Sequence, residues 1–206
     1  QIARVLDVIP KDNAYVVFVG DHGESLYEHD YLGHGRHVYQ PGMHIPLFIH
    51  GPGIEPGRDA RDVRGIDIGP TLLALAGLQT TDTMLGRDIN GLWTQDLRPR
   101  VVETYGGAVI RIPGIRSLMV NDPPQRQAVY YDQWKLILGE GADLLFDLAQ
   151  DPAELNNLAA DHPELVPQLR AMIDEWSEQN PQSADAEVVE LTDEDVEALE
   201  TLGYIE

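Results

Sequence analysis

The 206-residue sequence contains no cysteine. Within these residues that excludes disulfides, thiolate metal ligands and any nucleophile that is cysteine or is made from it. It leaves the redox compartment open. No apolar run approaches the roughly 20 residues that cross a bilayer, so no membrane span is expected. No secretory leader is visible. The chain opens on Gln1 rather than methionine and is expected to be a piece of a longer protein. The missing leader therefore leaves the compartment undetermined, and a periplasmic or secreted parent is compatible with it. Basic residues are scarce: 14 Lys and Arg stand against 35 Asp and Glu, for a formal charge of −21. The shortage is local. From Glu140 to Glu206, 19 acidic residues face one basic residue, Arg170, giving −18, while residues 1–139 carry −3. Such a field repels nucleic acid and anionic membrane surfaces, so no nucleic-acid partner is expected. The acidic tail reads as a solvated face.

What the sequence does hold is alternation of strands with loops and helices. "AYVVFVG" (Ala14–Gly20) is a continuous apolar, β-branched run that predicts a strand buried on both faces of an α/β sheet. "HIPLFIHGPG" (His44–Gly53) predicts a second buried strand, ended by Gly-Pro-Gly. "DIGPTLLALAGL" (Asp67–Leu78) predicts a short helix with Asp67 as N-cap, Pro70 in the first turn and Gly77 as its stop. "RVVETYGG" (Arg100–Gly107) is a third strand candidate. Beyond it, "QAVYYDQWKLILG" and "DLLFDLAQDP" predict a small antiparallel sheet. Leu165, Leu169, Met172, Ile173 and Trp176 fall at helical spacing between His162 and Gln179. "NPQSADAE" reads as a linker, and "LTDEDVEALETLGYI" as a closing helix capped by Thr192 and stopped by Gly203. The domains expected are an α/β core over 1–110, a small α+β unit over 111–180 and an acidic tail with a short helix over 181–206.

The stretch Val16–Gln40 contains four of the seven histidines. Asp21 and His22 follow the first predicted strand directly, and ligands gather at the carboxyl ends of strands in open α/β sheets. Gly20 and Gly23 flank them and permit a sharp turn. Their carboxylate and imidazole form a mixed oxygen and nitrogen pair that leans towards Mn²⁺ or Zn²⁺ over Ca²⁺ or Mg²⁺. Taken alone such a pair is a weak signal, since N-capping or surface hydrogen bonding explains most Asp-His pairs. His34 lies between two glycines, where it can meet an anionic oxygen or protonate a leaving group; an exposed loop histidine is the alternative. Arg36, two residues on, is a further candidate for substrate contact, or a surface residue with His37. Glu24 either orients His22 or caps the following turn, with the cap favoured. His29 reads as a loop residue; His44 and His50 bracket a strand and read as structural. Ser25 has no base at a convincing spacing, and no Gly-x-Ser-x-Gly, Walker or His-Glu-x-x-His pattern occurs. The residues thus amount to half of a metal-assisted hydrolytic or transfer site.

The stretch "VVFVGDHGESLYEHDYLGHGRHVYQPGMHIPLFIHGPGI" resembles the C-terminal portion of sulfatases, within the alkaline-phosphatase-like superfamily. "DIGPTLLALAGL", "MLGRDI", "QWKLILG", "LLFDLAQDPAELNNLA" and "LTDEDVEALETLGYI" continue the resemblance in order along nearly the whole chain. It implies an α/β fold: the C-terminal part of an alkaline-phosphatase-like α/β sandwich, followed by a small antiparallel sheet plus a helix. By the same resemblance, Asp21 and His22 match metal ligands, and His34 matches a catalytic and substrate-binding position that contacts the sulfate or phosphate group. The family's usual metal is Ca²⁺, so the metal stays open between Ca²⁺ and the Mn²⁺ or Zn²⁺ that the imidazole favours.

The resemblance further implies that the remaining metal ligands and the formylglycine nucleophile belong to an N-terminal half that these residues do not include. The chain is then expected to be a fragment of a sulfuric ester hydrolase acting on sulfate or phosphate esters and inactive alone. A phosphodiesterase or phosphoethanolamine-transferase-like relative is the second expectation, and a non-catalytic binding module the third. Strands that lack sheet partners are expected to leave apolar edges exposed or paired in a homo-oligomer.

Overall fold

The computed structural model describes residues 2–10, 13–91, 97–104, 127–139 and 141–180. The closing helix with Thr192 and Gly203, the acidic tail, most of the linker and the end of the third strand lie outside the described residues. Two compact units result: Gln1–His22 with His44–Arg100, and Gly23–Met43 with Val101–Glu206.

The first unit contains α1 (Ile2–Leu6), β1 (Val16–Val19), β4 (Leu47–His50) and α3 (Ile68–Leu75). β1 and β4 pair antiparallel, from Val16 opposite His50 to Val19 opposite Leu47. Phe18 stacks on Phe48 across the ladder, with ring centroids 4.8 Å apart. Both strands were expected to be buried, and neither is: Val19 and Phe48 are exposed, at 36% and 38%. The cause is geometric. Among the described residues the pair forms a sheet of only two strands, and a lone ribbon cannot cover both faces of its β-branched side chains. His44 and His50 are exposed as well, contrary to a structural role.

α3 starts and stops where its sequence predicts, but Asp67 does not cap it. Asp67 occupies the N-cap position without a side-chain bond to the helix. Its buried carboxylate instead accepts the backbone N–H of Arg64 at 2.8 Å and of Arg87 at 2.9 Å, and pairs with the Arg64 guanidinium. Thr71, on the helix, donates to the Asp67 carbonyl at 2.6 Å and accepts the Ile89 N–H at 2.9 Å. The "GRDI" segment is thereby laced onto α3. Glycine is needed at position 86 because a Cβ there would run into the Ile66 carbonyl.

The second unit contains the two-stranded ribbon of β2 (Ser25–Leu26) and β3 (Leu32–Gly33), then α2 (Gln40–Met43), and a four-stranded sheet in the order β5-β6-β7-β8. The sheet strands are β5 (Arg100–Glu103), β6 (Gln127–Tyr131), β7 (Trp134–Ile137) and β8 (Leu144–Asp147). β6, β7 and β8 pair antiparallel as the sequence predicts. α4 (Leu165–Gln179) follows, with Pro167 in its first turn, where a missing N–H costs nothing.

The sheet is buried on both faces, which is why its strands read as apolar runs rather than alternations. Val129, Leu136 and Leu145 meet Leu169 and Ile173 of α4 on one face. Ala128, Ile137 and Phe146 meet Val38, Tyr39 and Met43 on the other. Each such side chain, fully buried, contributes roughly 1.5–3 kcal/mol. Arg170, the lone basic residue between Glu140 and Glu206, reaches both carboxylate oxygens of Asp143 at 2.6 Å, tying α4 to the entry of β8.

Candidate functional site

Asp21 and His22 close the first unit, immediately after β1 and Gly20. The Asp21 carboxylate accepts the His22 N–H at 3.0 Å, which turns the two side chains to the same side. His22 Nε2 then lies 3.8 Å from Asp21 Oδ2, and the two side chains are 40% and 84% exposed. An accessible carboxylate oxygen beside an accessible ring nitrogen could supply two ligands to a cation, with the other ligands coming from elsewhere.

The glycines here work differently from the expectation. Neither Gly20 nor Gly23 takes a left-handed conformation. Gly23 is glycine for close approach. Its N–H donates to the Gly42 carbonyl at 2.9 Å, and a Cβ would collide with the carbonyl of Pro41.

His34 belongs to the second unit, just past β3. It stands between Gly33 at φ 122 and Gly35 at φ 83, and those two angles are what require glycine. Ser25 faces Gly33 across the ribbon, so one step further along the ladder Glu24 faces His34. Their side chains meet: Nδ1 of His34 lies 3.0 Å from Oε2 of Glu24. A carboxylate only accepts, so Nδ1 carries the proton. Glu24 thus orients His34, a partner that sequence spacing did not assign; the turn cap is supplied by Glu28, which accepts the Leu26 N–H at 2.6 Å.

Tyr31 holds the same loop from beneath. It is 2% exposed, its hydroxyl donates to the His34 carbonyl at 2.5 Å, and the Arg36 backbone amide bonds to it in turn. Burial raises the Tyr31 pKa against the opposing pull of Arg36, so the hydroxyl keeps its proton for the bond. The Thr104 hydroxyl donates to the Gly35 carbonyl. Arg36 is half-buried in this loop. His29, at φ 53, stacks on Tyr39 with centroids 3.7 Å apart.

Two residues with no place in the sequence reasoning complete the second unit's polar interior. Lys135 on β7 and Glu154 form an ion pair with both side chains wholly buried. Burial drives the Lys135 pKa down to about 8, against an upward pull from Glu154. The available signal was a lone lysine inside the apolar run "QWKLILG".

Residues 1–78 match the family model for Sulfatase. The chain is 32% identical over 174 residues to arylsulfatase K of Xenopus laevis, covering 78% of this chain and 31% of that protein. Among solved structures, a 2-O GAG sulfatase superposes with a TM-score of 0.68 at 20% identity, covering 86% of this chain and 39% of that one. The phosphonate monoester hydrolase of Silicibacter pomeroyi superposes with a TM-score of 0.63 at 23% identity, covering 94% and 40%. The chain therefore spans about a third of the length of the curated relatives it matches. The structural likenesses give the fold, which is alkaline-phosphatase-like, and residues 1–78 carry the match to the Sulfatase family model.

Proposed function

We propose that this chain is the C-terminal part of a metal-dependent sulfuric ester hydrolase and supplies part of its metal and sulfate site. One observation carries the proposal. The stretch that matches the sulfatase family model, residues 1–78, contains Asp21 and His22, with Oδ2 and Nε2 3.8 Å apart at the end of β1. That donor pair fits a divalent cation: Ca²⁺ on the family's usual pattern, Mn²⁺ or Zn²⁺ on the softness of the imidazole. A bound cation would supply Lewis acidity at a sulfate oxygen.

The chain's own residues do the rest of what is assigned to it. His34, held by Glu24 through Nδ1, would contact the transferring group or its leaving oxygen through Nε2. Arg36 adds a positive charge from the same loop. Oriented donors of this kind are worth most where negative charge grows in the transition state. The nucleophile, a formylglycine in the sulfatase pattern, and the remaining ligands are assigned to the rest of the parent. This chain alone should bind metal weakly and turn nothing over. Hydrolysis of 4-nitrophenyl sulfate by the isolated chain, clearly above background and abolished by His34→Ala, would overturn the assignment. The edges of the β1–β4 ribbon, unpaired among the described residues, should make the isolated chain self-associate; a monodisperse monomer in light scattering at high concentration contradicts this.

The likeness to the phosphonate monoester hydrolase supports a second reading, a phospho- or phosphonoester hydrolase of the same superfamily. Comparing kcat/KM of the full-length parent on aryl sulfate and on aryl phosphonate monoester separates the two.

A further inference from the structure

We infer that Lys135 and Glu154 are positioning residues for His34: a buried ion pair on the small sheet that fixes the loop carrying the anion contact. This rests on the assignment of His34 as that contact, and it deepens it. His34 stands between Gly33 and Gly35, both in left-handed conformations, so its own backbone gives it little stiffness. The stiffness comes from residues distant in sequence. Lys135 Nζ donates to the Val38 carbonyl at 2.6 Å. The Glu154 carboxylate bonds Lys135 through one oxygen and accepts the Gln40 N–H through the other, at 2.6 Å. The Tyr130 hydroxyl bonds the Gln40 side chain at 2.9 Å. Val38 itself is fully buried against β6, β7 and β8. Residues 38–40 are thereby pinned to the sheet from both strands and loop.

From that anchor the chain runs back through only His37, Arg36 and Gly35 to His34, with the Gly35 and His34 carbonyls held by Thr104 and Tyr31. Two features set the pair apart from ordinary packing. Burying two charges costs several kcal/mol per ion before their attraction returns any of it, and apolar replacement is often neutral or better for stability. Glu154 also holds a left-handed φ of 57, which a non-glycine residue adopts only at a cost. Both are devices of placement: the pair's hydrogen bonds end on the backbone of residues 38 and 40.

The test uses the full chain and the apolar double variant Lys135→Met/Glu154→Leu, with near-UV circular dichroism to show that the sheet is retained. Long-range ¹⁵N–¹H correlation of the His34 ring reads the outcome. In the unaltered chain His34 should show one tautomer, with the proton on Nδ1 towards Glu24. In the double variant it should move to the averaged pattern of a solvated imidazole. Glu154→Gln, which keeps an acceptor for the Gln40 amide, should restore most of the ordered signature. An unchanged His34 pattern in a folded double variant overturns the inference. Inorganic sulfate titration is the separate arm. Loss of at least tenfold in sulfate affinity at His34 in the double variant supports the anchor. Absence of any sulfate response in the unaltered chain sinks the anion assignment instead, and the tautomer measurement still decides the anchor.

Discussion

The Nδ1 of His34 lies 3.0 Å from the Oε2 of Glu24, so the carboxylate holds one ring nitrogen and leaves any anion contact to the other. Two residues ten apart in sequence act as one unit because the ribbon of β2 and β3, two residues to a strand, sets them opposite each other. A carboxylate behind an imidazole fixes which nitrogen is offered.

The first prediction concerns that pair. In the full-length parent, His34→Ala should lower kcat/KM by about 10²–10³-fold, the scale seen when one oriented donor to a developing anion is lost. The His34 side chain is 43% exposed, so the same change should alter unfolding free energy by no more than about 0.5 kcal/mol. Glu24→Ala should cost less activity, because the ring remains but wanders. Full activity in His34→Ala removes the residue from the site.

The second concerns metal. The chelator-stripped chain should bind Mn²⁺ or Zn²⁺ more tightly than Ca²⁺ if His22 is a ligand, because imidazole suits the softer ions. Calorimetric titration of Asp21→Asn and His22→Ala should show at least a tenfold loss for each. Equal affinity for Ca²⁺ in His22→Ala and the unaltered chain identifies His22 as a neighbour of the site rather than part of it.

The third concerns the first unit's stability. Asp67 is 3% exposed and accepts two backbone amides and a guanidinium. Asp67→Ala removes the acceptor from those part-buried donors, which costs about 1–3 kcal/mol for each group so stranded. Urea denaturation of the chain should therefore show a loss of at least about 3 kcal/mol. Thr71→Val removes the hydroxyl that joins Asp67 to Ile89 and should cost about 1–3 kcal/mol. A loss below 1 kcal/mol for Asp67→Ala shows that α3 and the "GRDI" segment are held by packing alone.

The small sheet and α4 were legible because their signals are local. Apolar runs of four or five residues separated by turns give β6 to β8, and Leu169 and Ile173 sit where helical periodicity puts a core. The ribbon of β1 and β4 was legible in position and wrong in burial, because burial depends on what lies beside a strand and the run "VVFV" carries no record of that. Asp67 shows a similar limit. Its type and place are those of an N-cap, yet Arg64 and Arg87 compete for the carboxylate and win, and Arg87 is 20 residues away. Asp21, His22 and His34 were candidates by residue type and glycine spacing, and their proposed roles came from the resemblance to sulfatases. The Glu24 contact could not be named, because it depends on the register of a ribbon whose strands are two residues each. Lys135 and Glu154 needed the fold itself, since 19 residues separate two charges that meet only inside the packed unit.

The last prediction tests that buried pair through its proton. Lys135 titrates near 8 in the folded chain because desolvation outweighs the pull of Glu154, whereas an unfolded lysine titrates near 10.4. Between those two values the unfolded state binds more protons than the folded state, so raising the pH favours folding through this group. Stability measured by urea denaturation should therefore rise from pH 8 towards pH 10 relative to Lys135→Met/Glu154→Leu, which has no such proton to lose. Below pH 8 both states hold the proton and the difference between the two proteins should be flat. Removing a single partner is a different matter. Lys135→Met strands a buried carboxylate and should cost about 3–5 kcal/mol at neutral pH, while the double variant should lie within a few kcal/mol of the unaltered chain or exceed it. If the single and double variants lose equal stability, the two side chains are packed neighbours without electrostatic coupling. If the pH slope between 8 and 10 is absent, Lys135 stays charged in the fold and its environment is wetter than its complete burial implies.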